Sequence, residues 1–321
     1  MPSSLDIGND LLCGLDPVAF ANAAGYVLDP WQAKVLCSPA KQIILDCSRQ
    51  IGKSRVAAVR GLHRAIYHAG SLILLIAPAL RQSHELFGYI QEMLATLRET
   101  PTAAVPNTDV ANASEMRLSN GSRIVCLPAP LGGAGRTIRG FAGADLIIED
   151  EASRFPDEVF HAVTPMASKN HGTLMLMSSP FGKRGHFWDV WSGKTDSPDA
   201  GEYGTWDRHF VKATECPLRH SPEFLRGELA KMGRWLFEQE YMAEFSESVG
   251  GVFAYDDVMA AFSPKVQSSV AGMVRASMPP PTQEERVQEA LITAATPRVL
   301  RPGGQPGTWS SMSTLPYPID W

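Results

Sequence analysis

The residues richest in chemistry stand close together in the segment Cys47 to Ser54, CSRQIGKS. A tight polar turn ending in Gly52, Lys53 and Ser54 suits a polyphosphate. Successive backbone N–H groups, backed by the positive end of a following helix, make an anion site. Gly52 lets the backbone approach closely, Lys53 reaches the β and γ phosphates of ATP, and the Ser54 hydroxyl can hold Mg²⁺. The first position of G-x-x-x-x-G-K-[ST] is Cys47 and not Gly, a departure to another small side chain. Cys47, Ser48, Arg49, Gln50, Ile51, Gly52, Lys53 and Ser54 are therefore expected to form the nucleotide loop. The plainer alternative is an ordinary strand-to-helix turn.

A nucleotide hydrolase also needs carboxylates near the phosphates, and Ala144 to Glu151, ADLIIEDE, ends in three. Asp150 is assigned to the metal and Glu151 to orienting and activating the attacking water, with Glu149 as the fallback. Two arginines are candidates for neutralising the transferring phosphate. Arg49 lies inside the loop and can act in cis; Arg139, in the glycine-rich stretch Gly132 to Gly140, is favoured as a finger reaching a neighbouring subunit's nucleotide. Ser178 and Ser179, ahead of Pro180, are candidates for sensing the γ-phosphate and passing that state to the following loop with Lys183, Arg184 and His186; a helix cap is the alternative. Gln32, shortly before the loop, has an amide able to pair with both donor and acceptor of adenine, or is simply a helix-start residue after Pro30.

These residues need a scaffold, and the apolar pattern supplies one. Ile43 to Leu45, Ser71 to Ala77, Ala144 to Glu151, Gly172 to Ser179 and Trp206 to Lys212 read as strands, the first four as apolar, buried runs. Val56, Val59, Leu62 and Ile66 give a helical face behind the loop, and Leu80 to Glu99 a long helix. Alternating strand and helix predicts an α/β fold: the parallel sheet of a P-loop NTPase, RecA-like (ASCE) in type, flanked by helices. Met116 to Leu127 reads as a hairpin turning at Asn120-Gly121. Ser221 to Phe245 reads as helical, with Glu223 in its first turn.

The 321 residues, 44% hydrophobic, are ample for a sizeable core. A net charge of -5 excludes a protein coated in basic surface, so any nucleic-acid contact must be local. Five scattered cysteines without C-x-x-C spacing suggest neither a disulfide framework nor a zinc site, and no apolar run approaches membrane-spanning length; a cytoplasmic protein is expected. After Phe262 the text changes: nine of the 24 prolines fall there, with the Pro279-Pro280-Pro281 run. The expected division is an N-terminal segment 1–24, an ATPase core 25–212, a helical linker or lid 213–262, and a Pro-rich, mostly disordered tail 263–321.

In its ordered motifs the chain resembles the large, motor subunit of tailed-phage DNA-packaging terminases. The resemblance rests on Pro30-Trp31-Gln32, Ser48 to Ser54, Asn120-Gly121-Ser122, Arg139-Gly140, Leu146 to Ala152, Ser178-Ser179-Pro180 with Gly182-Lys183, and Gln239-Glu240-Tyr241 with Glu244-Phe245. These lie in the family's order over roughly residues 25–262, and the joint order carries the specificity. The resemblance implies ATP and Mg²⁺ as cofactors, and Trp31 and Gln32 at the nucleotide. It also implies double-stranded DNA, a portal protein and a small terminase subunit as partners, with a homo-oligomeric ring on the portal. Family motors also carry a C-terminal nuclease. Here the text beyond Gly250-Gly251, Asp256 and Asp257 departs from the pattern, so no nuclease site is expected. The rival readings are a decayed or truncated prophage fragment that binds nucleotide without packaging, and a superfamily 2 helicase-like ATPase.

Overall fold

The structure, a computed structural model, describes residues 4–99, 105–129, 140–141, 143–197, 199, 201, 204–217 and 219–246. The chain divides into two units, Met1–Ala254 and Tyr255–Trp321, and every described residue belongs to the first.

Eight strands form one sheet: β1 Gln42–Cys47, β2 Leu72–Ala77, β3 Thr108–Ala111, β4 Glu115–Leu118, β5 Arg123–Pro128, β6 Leu146–Asp150, β7 Thr173–Ser178 and β8 Asp207–Val211, in the order β3-β4-β5-β2-β6-β7-β1-β8. The six strands from β5 to β8 are parallel, and β4 and β3 extend them antiparallel at one edge, so the sheet is mixed. The central strands are apolar on both faces because helices cover both. The hairpin falls where the sequence put it, with Met116 opposite Ile124 and Gly121 at φ +85.

Nine helices are described: α1 Ser4–Leu15, α2 Pro17–Ala23, α3 Pro30–Leu36, α4 Lys53–Tyr67, α5 Leu80–Glu99, α6 Asp157–Lys169, α7 Gly185–Trp191, α8 Pro222–Met232 and α9 Arg234–Tyr241. Among these described residues no helix is long and apolar enough to cross a membrane. The core has two parts. On one face Ile43, Leu45, Leu146 and Ile148 meet α4 and α5 through Val56, Val59, Leu62 and Ile90; on the other, Ile44, Ile147 and Leu176 meet α6 and α7 through Val159, Val163 and Phe187. Alternation along each strand sends neighbours to opposite parts.

Two expectations need correction, and one helix went unread. The stretch after Pro180 is a helix, α7, and not a loop throughout. Its buried Phe187 and Val190 pack on the sheet, and a solvated reading of the lysine and arginine just before them hid this. Residues 221–245 form two helices and not one, because Gly233 at φ +77 ends α8 and opens α9. Helix α6 had no sequence expectation at all; it carries Pro165 in its interior. The expected tail 263–321 and Asp256 and Asp257 lie outside the described residues.

Candidate active site

The parallel strands end together, and the functional side chains gather at that end. β1 runs into the loop 48–52; Gly52, at φ +92, caps α4, whose first residues are Lys53 and Ser54. β6 ends at Asp150. Alternation on β6 places Asp150 on the α4 side with Ile148, where Ser54 Oγ donates to its Oδ2 at 3.2 Å. Glu149 must then face the other side. It is fully buried there, its Oε2 3.3 Å from His186 Nε2, while the His186 ring stacks on Phe160. The fallback Glu149 is thus not in the cavity.

Glu151 lies just past the strand, at φ +58 in the left-handed region, and opens a short 3-10 turn, Ala152–Arg154. That conformation returns its side chain to the α4 side. Its Oε1 accepts from Lys53 Nζ at 2.8 Å, and its N–H donates to Asp150 Oδ1 at 3.0 Å. Burial opposes the Lys53 charge, but Glu151 and Asp150 more than offset this and hold the ammonium above the ordinary lysine value. Burial lifts the Asp150 carboxyl to about 6, with Glu151 adding and Lys53 and the Ser54 hydrogen bond opposing. Behind the loop Asp46 is fully buried, and burial pushes its carboxyl well above the usual carboxylate range against the pull of Lys53.

These groups border a cavity of about 610 Å³. Arg49, Gln50, Gly52, Lys53, Ser54, Asp150, Glu151 and Ser179 line it, whereas Cys47, Ser48 and Ile51 are buried and face inward. The small residue at the first loop position is a core contact. Ser178 Oγ lies 2.7 Å from Ser153 Oγ, which also donates to Ser179 O at 2.8 Å, so the end of β7 is tied to the turn that carries Glu151. Arg49 is exposed and turned toward the helical segment: its Nε is 3.5 Å from Glu240 Oε2, its N–H donates to Glu240 O at 2.9 Å, and His220 Nε2 meets its carbonyl at 3.0 Å. Arg139 lies outside the described residues.

Gln32 departs from its expected role at the adenine. It is fully buried and does not line the cavity; Oε1 accepts from Asp29 N at 2.9 Å, and Nε2 donates to Tyr26 Oη at 2.7 Å and Gly52 O at 3.2 Å. The capping of α3 occupies the acceptor and the phosphate loop the donor, leaving the amide no free edge for a base. Trp31 is half-buried against the core. Sequence reasoning missed further lining residues, among them Arg154, Arg219, Arg55 and Tyr89. Arg219 donates to Asp29 Oδ2 at 2.7 Å and Tyr26 Oη at 3.2 Å, and Arg55 lies 4.6 Å from the Tyr89 ring centroid. Of these, Arg55, next to Ser54, and Arg154, three residues beyond Glu151, had a local signal; Tyr89 and Arg219 had none.

The residues fit a Mg²⁺-nucleotide: an ammonium and backbone N–H groups for phosphate, with Ser54 and Asp150 side by side for the metal. The profile described as "Terminase large subunit, T4likevirus-type, N-terminal" matches residues 44–259. No curated protein sequence matches the chain. Among solved structures it is similar to the large terminase ATPase domain of Thermus phage P74-26, at 24% identity and TM-score 0.59, covering 71% of this chain and 97% of that one. The HK97 bacteriophage large terminase matches at 14% identity and TM-score 0.56, covering 72% of this chain and 55% of that one. The large terminase of thermophilic bacteriophage D6E in complex with ADP matches at 12% and 0.51, covering 68% and 54%. At these identities the structural likeness is one of fold, and this chain spans about half the length of the latter two. With its profile match running from β1 past the last described residue, the chain belongs to the terminase large subunit family, through that family's N-terminal ATPase domain.

Proposed function

We propose that the chain hydrolyses ATP as the motor subunit of a phage terminase and drives double-stranded DNA into a procapsid. The observation that supports this best is the convergence of Lys53, Ser54, Asp150 and Glu151 on one cavity, from two strand ends distant in sequence. Lys53 and the loop N–H groups hold the β and γ phosphates, and Ser54 and Asp150 hold Mg²⁺. When bound, the metal supplies positive charge against the phosphates. Glu151 orients the attacking water and takes its proton. Arg139 from a neighbouring subunit is the finger of this reading, with a portal protein and a small terminase subunit as partners in the assembled ring.

Steady-state ATP hydrolysis by the full chain tests the assignment. Lys53→Ala is expected to abolish turnover and weaken ATP binding. Glu151→Gln is expected to bind ATP but lose about 100-fold or more in kcat, since shape is kept while the base is lost. Undiminished turnover in the Lys53 variant would remove the central claim. Absence of turnover in the wild-type chain would favour the decayed-motor reading, and unwinding of a forked duplex the helicase reading.

A further inference from the structure

Glu151 stands between two cations. Lys53 Nζ is 2.8 Å from Oε1, and Arg154 Nε is 3.9 Å from Oε2, within ion-pair range but beyond a hydrogen bond. The two cations have different duties. Lys53 belongs to the phosphate loop and is the cation that a triphosphate claims. Arg154 is anchored elsewhere: its guanidinium lies 4.3 Å from the ring centroid of Phe181, which also carries Arg184 at 5.5 Å. Phe181 follows β7, whose end is tied to the Glu151–Arg154 turn by Ser153. Arg154 therefore borders the cavity on supports independent of the phosphate loop.

We propose that Arg154 is a positioning residue for hydrolysis: when Lys53 turns to the phosphates, Arg154 retains the Glu151 carboxylate and aims it at the attacking water. This rests on the roles given to Lys53 and Glu151 above. Glu151 is only partly buried, so its carboxylate has room to swing once Lys53 is gone. A base displaced by about 1 Å can lose on the order of 100-fold in rate. Because the Arg154 side chain is 43% exposed, its ion pair contributes little to folding. Its loss should appear in kinetics and leave the fold in place.

The test is steady-state and single-turnover ATPase of the full chain, with the melting temperature of each variant as control. Arg154→Ala is expected to lower kcat about 10- to 100-fold while KM stays within about twofold. Arg154→Lys should recover part of the loss, and Phe181→Leu, which removes the supporting ring, should fall between. In a Glu151→Gln background Arg154→Ala should add no further loss, because it acts through that carboxylate. A raised KM with kcat kept would overturn the proposal in favour of a phosphate contact. An undiminished kcat, or an equal additional loss in the Gln background, would overturn it as well. Hydrolysis that survives Lys53→Ala would remove the site assignment itself, and this proposal with it.

Discussion

At Gly52 the backbone is left-handed, and a Cβ there would stand 2.8 Å from Gln32 Nε2, 3.1 Å from Tyr26 Oη and 3.3 Å from Arg219 Cζ. Gly52→Ala is expected to cost on the order of 1–3 kcal/mol and to raise KM for ATP, read by thermal melting and steady-state kinetics. Asp150 behaves differently because its ionised form is the strained one. Its folded pKa of about 6 stands above the ordinary aspartate value of 3.8. Stability from the neutral form is therefore complete below about pH 4 and lost as pH rises through about 6. Asp150→Asn, neutral at every pH, should be more stable than wild type at pH 7.5 by on the order of 2–3 kcal/mol, seen as a higher melting temperature, with the gap closing toward pH 4. The same variant should lose Mg²⁺-dependent turnover; a wild-type-like melt at pH 7.5 would contradict the assigned cost of burial. That Lys53, Ser54, Asp150 and Glu151 meet at one cavity was legible because each is fixed by type and order within a short motif. Gln32 was misread because its partners are set by the α3 cap and by Tyr26, and a motif does not show where an amide spends its hydrogen bonds.

The helical segment after β8 holds the phosphate loop through His220 and Glu240, beside Arg219 in the cavity wall. His220 Nε2 meets Arg49 O at 3.0 Å, and Glu240 O accepts from Arg49 N at 2.9 Å, so the loop backbone is held from outside the sheet. The His220 ring stacks on Phe224 and meets Tyr241 edge-on, which fixes its direction. His220→Phe keeps the aromatic packing and removes the hydrogen bond. It should weaken ATP binding by about 1 kcal/mol, roughly fivefold in Kd, with kcat changed less; equal affinity in a titration of the two proteins would show that the loop does not need this support. Long periodic elements were legible here, α5 to its termini and β2 to within a residue. The break at Gly233 and the helix α7 were not. Gly182 with the exposed Lys183 and Arg184 reads as loop until burial of Phe187 and Val190 on the sheet outweighs it, and one glycine inside a helical pattern does not announce the break at Gly233.

Strand order belongs to the whole molecule, and no local pattern shows it. Placing β7 between β1 and β6 brings Ser178 beside Asp46 and Met177 beside Asp150, and so joins the phosphate loop, the serine pair and the acidic strand end in one cavity. What the sequence did carry was the alternation of buried strands with helices, from which a parallel sheet follows but not its order. The same scale governs the last prediction. Cutting DNA by the two-metal route needs several carboxylates held together on a rigid support. Ser54 and Asp150 escape that requirement because a nucleotide brings its own phosphate oxygens to Mg²⁺. Beyond Phe262 the only acidic residues are Glu284, Glu285, Glu289 and Asp320. We propose, from the sequence beyond Phe262 alone, that the purified chain leaves supercoiled plasmid DNA intact in Mn²⁺ or Mg²⁺ while it hydrolyses ATP in the same buffer. Metal-dependent nicking that disappears in Asp256→Asn or Asp257→Asn would sink this, since it would place a nuclease centre at the end of the ATPase segment.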